Sequence, residues 1–376
     1  MFREIKGQSS ALQILKLAMD NDRIAQAYLF HGSGGVGKFT TALYFGMALN
    51  CLSKSEFRPC GVCSSCRKFL ALDHPDLLYV FPTPNLGLNL DGEITKTDFK
   101  KEYQGYIRSK IDTPWEDYQF SSNIMIRVES INWLIKRLSL SAYEASHRVC
   151  IIEDADQMNI PTSNAFLKTL EEPPPSTVII LITNNPSQLL PTVVSRCQPV
   201  RFQAVTPRVI EGILRDRFNA PQELARTASH IADGSVKRAI HFAQNESSEL
   251  RERAFEILEL AAAGRDLAHF RSLQGQTRKF TAENAIEILR YSSLFAGDLN
   301  LVEDSPDEVV NVDKREFLRS ARQRLELVDP ADFTDRVINF VLLMEDQIRK
   351  LRGNANLQLV MLNLYFEWKK LLQGLI

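Results

Sequence analysis

The sequence predicts an α/β chain in its first half, a parallel sheet covered by helices on both faces, followed by a second half built of helices alone. Three observations carry this. Short apolar runs alternate with segments of helical period up to about residue 205. One such run, Ala27 to Phe30, leads straight into a glycine-rich stretch, Gly32 to Lys38, from which a helix opens. From Pro207 onward strand signals fade while apolar residues keep recurring at helical spacing.

The elements follow in order. Residues 9 to 20 place Leu12, Ile14, Leu15, Leu17 and Ala18 at near-helical spacing, and Ala27-Tyr28-Leu29-Phe30 has strand composition. Phe39 to Leu49 reads as the helix after the glycine loop, and Cys51, Cys60, Cys63 and Cys66 come next. Asp76 to Phe81 is a second strand. From Pro82 to about Asn123 the pattern dissolves among Pro84, Gly87, Gly92, Gly105 and Pro114, which predicts an irregular insertion with short helices at most. Ile131, Leu134, Ile135 and Leu138 mark an amphipathic helix, and Val149 to Ile152 a strand ending in Glu153-Asp154-Ala155-Asp156. A helix from Pro161 to Leu170 stops at Glu171-Glu172 and three prolines, and Val178 to Thr183 supplies a fourth strand. Residues 207 to about 244 read as a small helical bundle. Beyond it Val337, Phe340, Val341, Met344, Ile348 and Leu351 form one apolar helix face, and Leu357, Val360, Met361, Leu364 and Trp368 another. There is no internal repeat and no low-complexity tract.

Composition narrows the function. The chain has 376 residues, 45 Lys+Arg against 46 Asp+Glu, and 44% hydrophobic residues, enough for two or three domains with buried cores. A net charge of -1 excludes a strongly cationic nucleic-acid binder, so any DNA contact must be local. No run of eighteen apolar residues occurs, and Met1 to Lys6 form no signal core, which predicts a cytoplasmic protein without a membrane span. Six cysteines in a chain of this size, four of them clustered, do not suit a secreted disulfide framework.

Backbone N–H groups at a helix amino terminus form an anion cradle, so Gly32, Gly35 and Gly37 with Lys38 suit the phosphates of a nucleotide; a plain glycine turn is the competing reading. One position departs from that pattern. The residue after the lysine should be Ser or Thr, whose hydroxyl holds magnesium, and here it is Phe39. Thr40, a further candidate for the nucleotide site, lies about 100° further round the helix and reaches the same place only with a loop rearrangement. The acids at the end of the Val149 strand are natural companions, one to hold magnesium and one to orient water. Their usual order is Asp then Glu, and here it is Glu153 then Asp154. A pair of solvated acids is the alternative.

The spacing C-x8-C-x2-C-x2-C fits a closed tetrahedral shell of structural zinc, with an iron–sulfur cluster or unpaired thiols as alternatives and His74 as a spare ligand. The six histidines, at 31, 74, 147, 230, 241 and 269, show no metal-ligand spacing among themselves. Arg196, in Ser195-Arg196-Cys197, follows the fourth strand; by pattern alone it is a surface arginine or one that reaches a phosphate in its own or a neighbouring subunit.

Taken together, these segments resemble the bacterial DNA polymerase III clamp-loader family of AAA+ subunits, most closely the delta-prime type, with gamma/tau second. The resemblance runs in order through Ile5 with Gly7-Gln8, Ala27 to Lys38, the four cysteines, Arg148 to Asp156, Ser163 to Pro174, Thr183-Asn184-Asn185 and Ser195-Arg196-Cys197-Gln198. It is dense from residue 5 to about 205. Beyond Pro207 it rests on helical architecture and Gly234-Ser235, and 82 to 123 stands out as extra material.

The resemblance implies three domains: an AAA+ domain over 1–206 with a zinc module at about 51–66, a helical lid over 207–245, and a helical collar over 246–376. It implies a pentameric loader that opens a sliding clamp and closes it around primed DNA, with ATP bound between subunits. Partners would be other loader subunits of gamma/tau and delta type, the clamp, and DNA through phosphate contacts. Arg196 would be the finger reaching a neighbour's ATP, Asn184 or Thr183 the sensor ending the fourth strand, and Lys237 would lie near a second sensor position where motor subunits carry arginine. Phe39, the Glu153-Asp154 order and Lys237 thus depart together from a hydrolysing subunit. Two readings follow: a delta-prime-like scaffold that lends Arg196, or a gamma/tau-type ATPase in which Thr40 or a water replaces the missing hydroxyl. Binding of ATP and magnesium stays open between them. A branch-migration or initiator ATPase lacks the cysteine insertion and the Ser-Arg-Cys triplet, and a zinc-based nucleic-acid reader lacks a basic, aromatic stripe.

Overall fold

The computed structural model describes residues 5–53, 57–89, 91–116, 118–244, 247–268, 280–326, 333–353 and 355–373. Met1 to Glu4 and His269 lie outside them. The described chain divides into two compact units, residues 1–213 with 233–238, and residues 214–232 with 239–376.

The first unit is organised by a parallel five-stranded sheet. Its strands are β1 (Ala27–His31), β2 (Leu77–Val80), β3 (Arg148–Ile152), β4 (Thr177–Thr183) and β5 (Gln198–Arg201), in the order β2-β3-β4-β1-β5. Ala27 stands beside Ile179, Ile152 beside Leu181, and Tyr28 beside Gln198. β3 and β4 are buried along their whole length, which is why they read as continuous β-branched runs rather than as alternation. The sheet is covered by α1 (Ser9–Asp20), α2 (Lys38–Leu49), α3 (Ser64–Leu70), α5 (Val128–Leu138) and α6 (Ile160–Glu171), with α4 (Thr97–Asp112) and the single turn α7 (Pro191–Val194) beside them.

Local chemistry explains the boundaries. Asn159 caps α6 by accepting from the Thr162 N–H at 2.9 Å, with Pro161 in the first turn, where a missing N–H costs nothing. Arg148 is buried and donates to the carbonyls of Arg137 and Leu138 at 3.3 and 2.6 Å, satisfying the carboxyl end of α5. One core cluster gathers Leu29, Cys150, Ile152, Phe166, Ile179, Leu181 and Val193 from strands and flanking helices.

Two expectations need correction. A fifth strand exists: Gln198–Arg201 is a four-residue edge with only Val200 buried, so it carries no apolar run. The segment 82–123 holds a sixteen-residue helix, α4, rather than short helices at most. Its apolar positions, Phe99, Tyr103, Tyr106 and Ile107, are mostly aromatic and sit among lysines and acids, and none of its residues is buried, so the apolar signal is weak.

The chain then runs through α8 (Pro207–Phe218), α9 (Gln222–Ile231) and α10 (Val236–Gln244), short helices as expected. Among the described residues the second unit is all helical. Within it are α11 (Ser247–Ala262), α12 (Ala282–Leu301), α13 (Arg315–Glu326), α14 (Phe333–Arg352) and α15 (Leu357–Gln373). Thr281 and Asn284 close a reciprocal capping box on α12. The two predicted faces of α14 and α15 are buried except at Val341 and Leu357, which are half-buried, and the Phe340 and Trp368 ring centroids are 4.4 Å apart. Among the described residues no helix is long and apolar enough to cross a membrane.

Candidate functional site

The carboxyl ends of β1, β3 and β4 lie on one edge of the sheet, so the glycine loop, the acidic strand end and Asn184 meet there, where parallel sheets place their ligands. Gly35 and Gly37 take positive φ, +74° and +95°, and turn the loop into the amino terminus of α2. A Cβ on Gly35 would lie 2.2 Å from Ser235 Oγ and 2.7 Å from Lys237 Cβ. The Lys237 N–H donates to the Gly35 carbonyl at 3.3 Å, so the segment Gly234 to Lys237 is seated on the loop itself. Gln8 braces the same loop by donating to the Val36 and Gln203 carbonyls at 3.2 and 2.8 Å.

Lys38 is 6% exposed, and its ammonium donates to the carbonyls of Gly32 and Ser33 and to Asn184 Oδ1, at 2.7, 2.6 and 2.8 Å. All its protons thus have acceptors. Burial lowers it to about 8 against the upward pull of Asp154, Glu153 and Asp156. Asp154 is pushed up to about 6, chiefly by burial and then by Glu153 and Asp156. Thr183 donates through its hydroxyl to Asp156 Oδ1, which ties the end of β4 to the acidic turn. Of the two sensor candidates, Asn184 is therefore the one that touches Lys38.

Phe39 and Glu153 are both engaged by their own chain. The Phe39 ring lies 5.2 Å from that of Tyr79, and Lys110 Nζ stands 4.2 Å from its centroid. Glu153 accepts from Lys110 Nζ on Oε1 at 2.7 Å, and from the Tyr79 hydroxyl on Oε2. The Tyr106 hydroxyl is 3.3 Å from that second oxygen and 2.9 Å from the Tyr79 hydroxyl. Burial and the Glu153 charge hold both phenols well above the usual tyrosine range. Sequence reasoning missed Lys110, Tyr79 and Tyr106. The available signal was the spacing Tyr103, Tyr106, Ile107, Lys110 on one helical face.

Thr40, one residue beyond Phe39, sits in the first turn of α2 and is half-buried; it is Thr41 whose hydroxyl bonds back, to the Gly37 carbonyl at 2.8 Å.

Arg196 is remote from its own glycine loop. It follows α7, donates through Nε to Glu171 Oε1 at 2.8 Å and through Nη1 to the Thr192 carbonyl at 2.7 Å, and its side chain is 32% exposed.

The four cysteines come together as expected, their sulfur atoms all within 4.8 Å of one another. A thiolate shell at about 2.3 Å from a tetrahedral ion has sulfurs roughly 3.8 Å apart, and Cys60 and Cys66 Sγ are 3.9 Å apart. Backbone N–H groups point at three of the sulfurs at 3.4 Å: Cys60 to Cys51, Cys63 to Cys60, and Cys66 to Cys63. N–H groups at Val62 and Cys63 pull Cys60 down to about 6, while burial and neighbouring thiols push Cys66 up. Four touching thiols cannot all ionise without a cation, so the donor set fits a metal ion. His74 does not join it: its Nδ1 accepts from the Asp76 N–H at 3.1 Å and its ring packs on Phe69.

Comparison with known proteins bears on this site. The family model described as DNA polymerase III, delta subunit, matches residues 7–206. The DNA polymerase III subunit delta' of Bacillus subtilis is 26% identical over 360 residues, covering 93% of this chain and 93% of that protein. The tau subunit of the same organism is 25% identical over 244 residues, covering 64% of this chain and 36% of that protein. A crystal structure of a DNA polymerase III gamma subunit-related protein from Thermotoga maritima covers 96% of this chain and 99% of that chain, with 14% identity and a TM-score of 0.43.

Proposed function

The chain belongs to the DNA polymerase III delta-subunit family, and from that membership we propose that it is a delta-prime-like subunit of the clamp loader, a scaffold that lends Arg196 to a neighbouring ATPase and turns over no ATP itself. The observation that carries the nonhydrolytic part is the pairing of Phe39 and Glu153. Phe39 stands where a magnesium-binding hydroxyl is needed, and both oxygens of Glu153 already have donors from the same chain. Lys38 is likewise supplied with acceptors by its own loop and Asn184. Phosphoryl transfer depends on positioned charge, and here Lys38 and Glu153 are both engaged by their own chain.

Arg196 is the opposite case. It sits partly exposed, held by the Glu171 carboxylate and the Thr192 carbonyl, contacts that a stronger anion can replace, which suits a finger offered to a triphosphate in an adjacent subunit. The division of labour extends to the rest of the chain: an AAA+ domain over 1–206, a lid over 207–245 and a collar over 246–376 that joins the gamma/tau and delta subunits. The proposed setting is cytoplasmic DNA replication, with the sliding clamp and the phosphates of primed DNA as further partners. Cys51, Cys60, Cys63 and Cys66 hold a structural zinc ion whose closed shell leaves no open position for catalysis.

Similarity to a tau subunit supports a second reading, a gamma/tau-type motor. ATP hydrolysis by the full chain alone separates the two. No turnover above background, with or without magnesium, is expected; magnesium-dependent hydrolysis by the chain, abolished in Lys38→Ala, moves the assignment to the motor.

A further inference from the structure

The extra segment 82–123 supplies a charge to the nucleotide side of the sheet. Lys110 lies near the carboxyl end of α4, and its ammonium is held between Glu153 Oε1 at 2.7 Å and the face of Phe39, 4.2 Å from the ring centroid. Both partners of the ion pair are only 14% exposed. The second oxygen of Glu153 takes hydroxyls from Tyr79 and Tyr106. Donors on both oxygens of a strand-end carboxylate compete with a divalent cation for its lone pairs, and a fixed positive charge beside it repels the ion.

α4 is fastened in this position. Tyr103 and Tyr106 stack on Phe81, with centroids 5.5 and 4.1 Å away, and Phe120 stacks on Tyr106 at 5.5 Å. Gly105 leaves room for the Tyr118 hydroxyl, which a Cβ would meet at 2.6 Å. The aromatic side of the helix thus grips the fold while its last turn delivers the ammonium. Phe39 completes the arrangement, because the ring that replaces the magnesium-binding hydroxyl is also the aromatic face on which an ammonium rests favourably.

The residues around Glu153 do not fit magnesium. We propose instead that Lys110 is a resident, tethered cation of this site, which neutralises Glu153 and makes the glycine-loop pocket indifferent to magnesium. The proposal rests on the scaffold reading and deepens it by naming what occupies the metal position. Its readout is cation binding rather than turnover. If it fails while the chain alone still hydrolyses no ATP, the scaffold reading stands without it.

Manganese(II) binding by the full chain, followed by electron paramagnetic resonance of the free ion, tests it. Wild type and Lys110→Arg are expected to bind no manganese through Glu153 below 1 mM, while Lys110→Met gains a site at least tenfold tighter that Lys110→Met/Glu153→Gln loses. Glu153-dependent binding in wild type, or none gained in a Lys110→Met protein with unchanged circular dichroism, overturns the proposal. Should Lys110→Met not fold, the wild type decides alone. Its affinity for a fluorescent ATP analogue should change less than threefold with magnesium, or binding should be absent both ways, and a tenfold tightening by magnesium overturns the assignment.

Discussion

Glu171 Oε1 accepts from Arg196 Nε at 2.8 Å, so the proposed finger is tethered inside its own chain, from the last residue of α6 to the residue two past α7. An exchange is implied: Arg196 must leave Glu171 to reach a phosphate. Partly exposed ion pairs are worth about 0.2–1 kcal/mol, so this tether is weak enough to be displaced by a triphosphate.

Removing the tether should therefore leave the fold intact and ease the exchange. Glu171→Gln is expected to shift the melting temperature little and to leave the ATPase of the reconstituted loader unchanged or raised by up to about fivefold. A tenfold fall would mean that Glu171 aims the arginine productively instead of restraining it.

The cysteine module should depend on its metal. Cys60→Ser is expected to lower bound zinc, measured by inductively coupled plasma mass spectrometry, well below one ion per chain and to reduce solubility or thermal stability. Full occupancy in that variant contradicts the four-ligand assignment, and a visible charge-transfer band in the wild type identifies an iron–sulfur cluster instead.

Gly35 and Gly37 separate crowding from backbone strain. Both have positive φ, but a Cβ on Gly35 meets Ser235 and Lys237 while one on Gly37 meets nothing within 4 Å. Gly37→Ala should cost about 1–2 kcal/mol and Gly35→Ala more, in urea unfolding monitored by circular dichroism. Equal costs would show that Ser235 and Lys237 give way freely.

Lys38 offers a test by pH. Its folded value of about 8 lies below the ordinary 10.5, so between those limits the unfolded chain keeps a proton that the folded chain has lost. Stability of the wild type relative to Lys38→Met should therefore rise with pH across that window, by at most about 1.4 kcal/mol per pH step, and be level below it. A flat or falling difference from pH 8 to 10 contradicts a depressed ammonium.

Much of this architecture was legible in the residues. β3 and β4 announced themselves because both faces are buried and their inner residues, Val149 to Ile152 and Val178 to Ile182, are all apolar, and the glycine loop because positive φ leaves few alternatives to glycine. The cysteine cluster was readable for a similar reason, since ligand spacing is local in sequence. β5 was not, because an edge strand with one buried residue has no apolar run. Nor was Lys110: it lies 43 residues from Glu153, and only the fold brings the two together. The same holds for Glu171 and Arg196, which pattern reading treated as separate features.

The proposed role of this chain is to serve a neighbour's ATP through Arg196. The measurement that tests it most directly is steady-state ATPase of the complete loader, with clamp and primed DNA, assembled with Arg196→Ala in this subunit alone. Assembly should be intact by gel filtration and turnover should fall at least tenfold, the direction expected for a finger worth about 10³ to 10⁵ at its own site. Unchanged turnover in a fully assembled complex would contradict it.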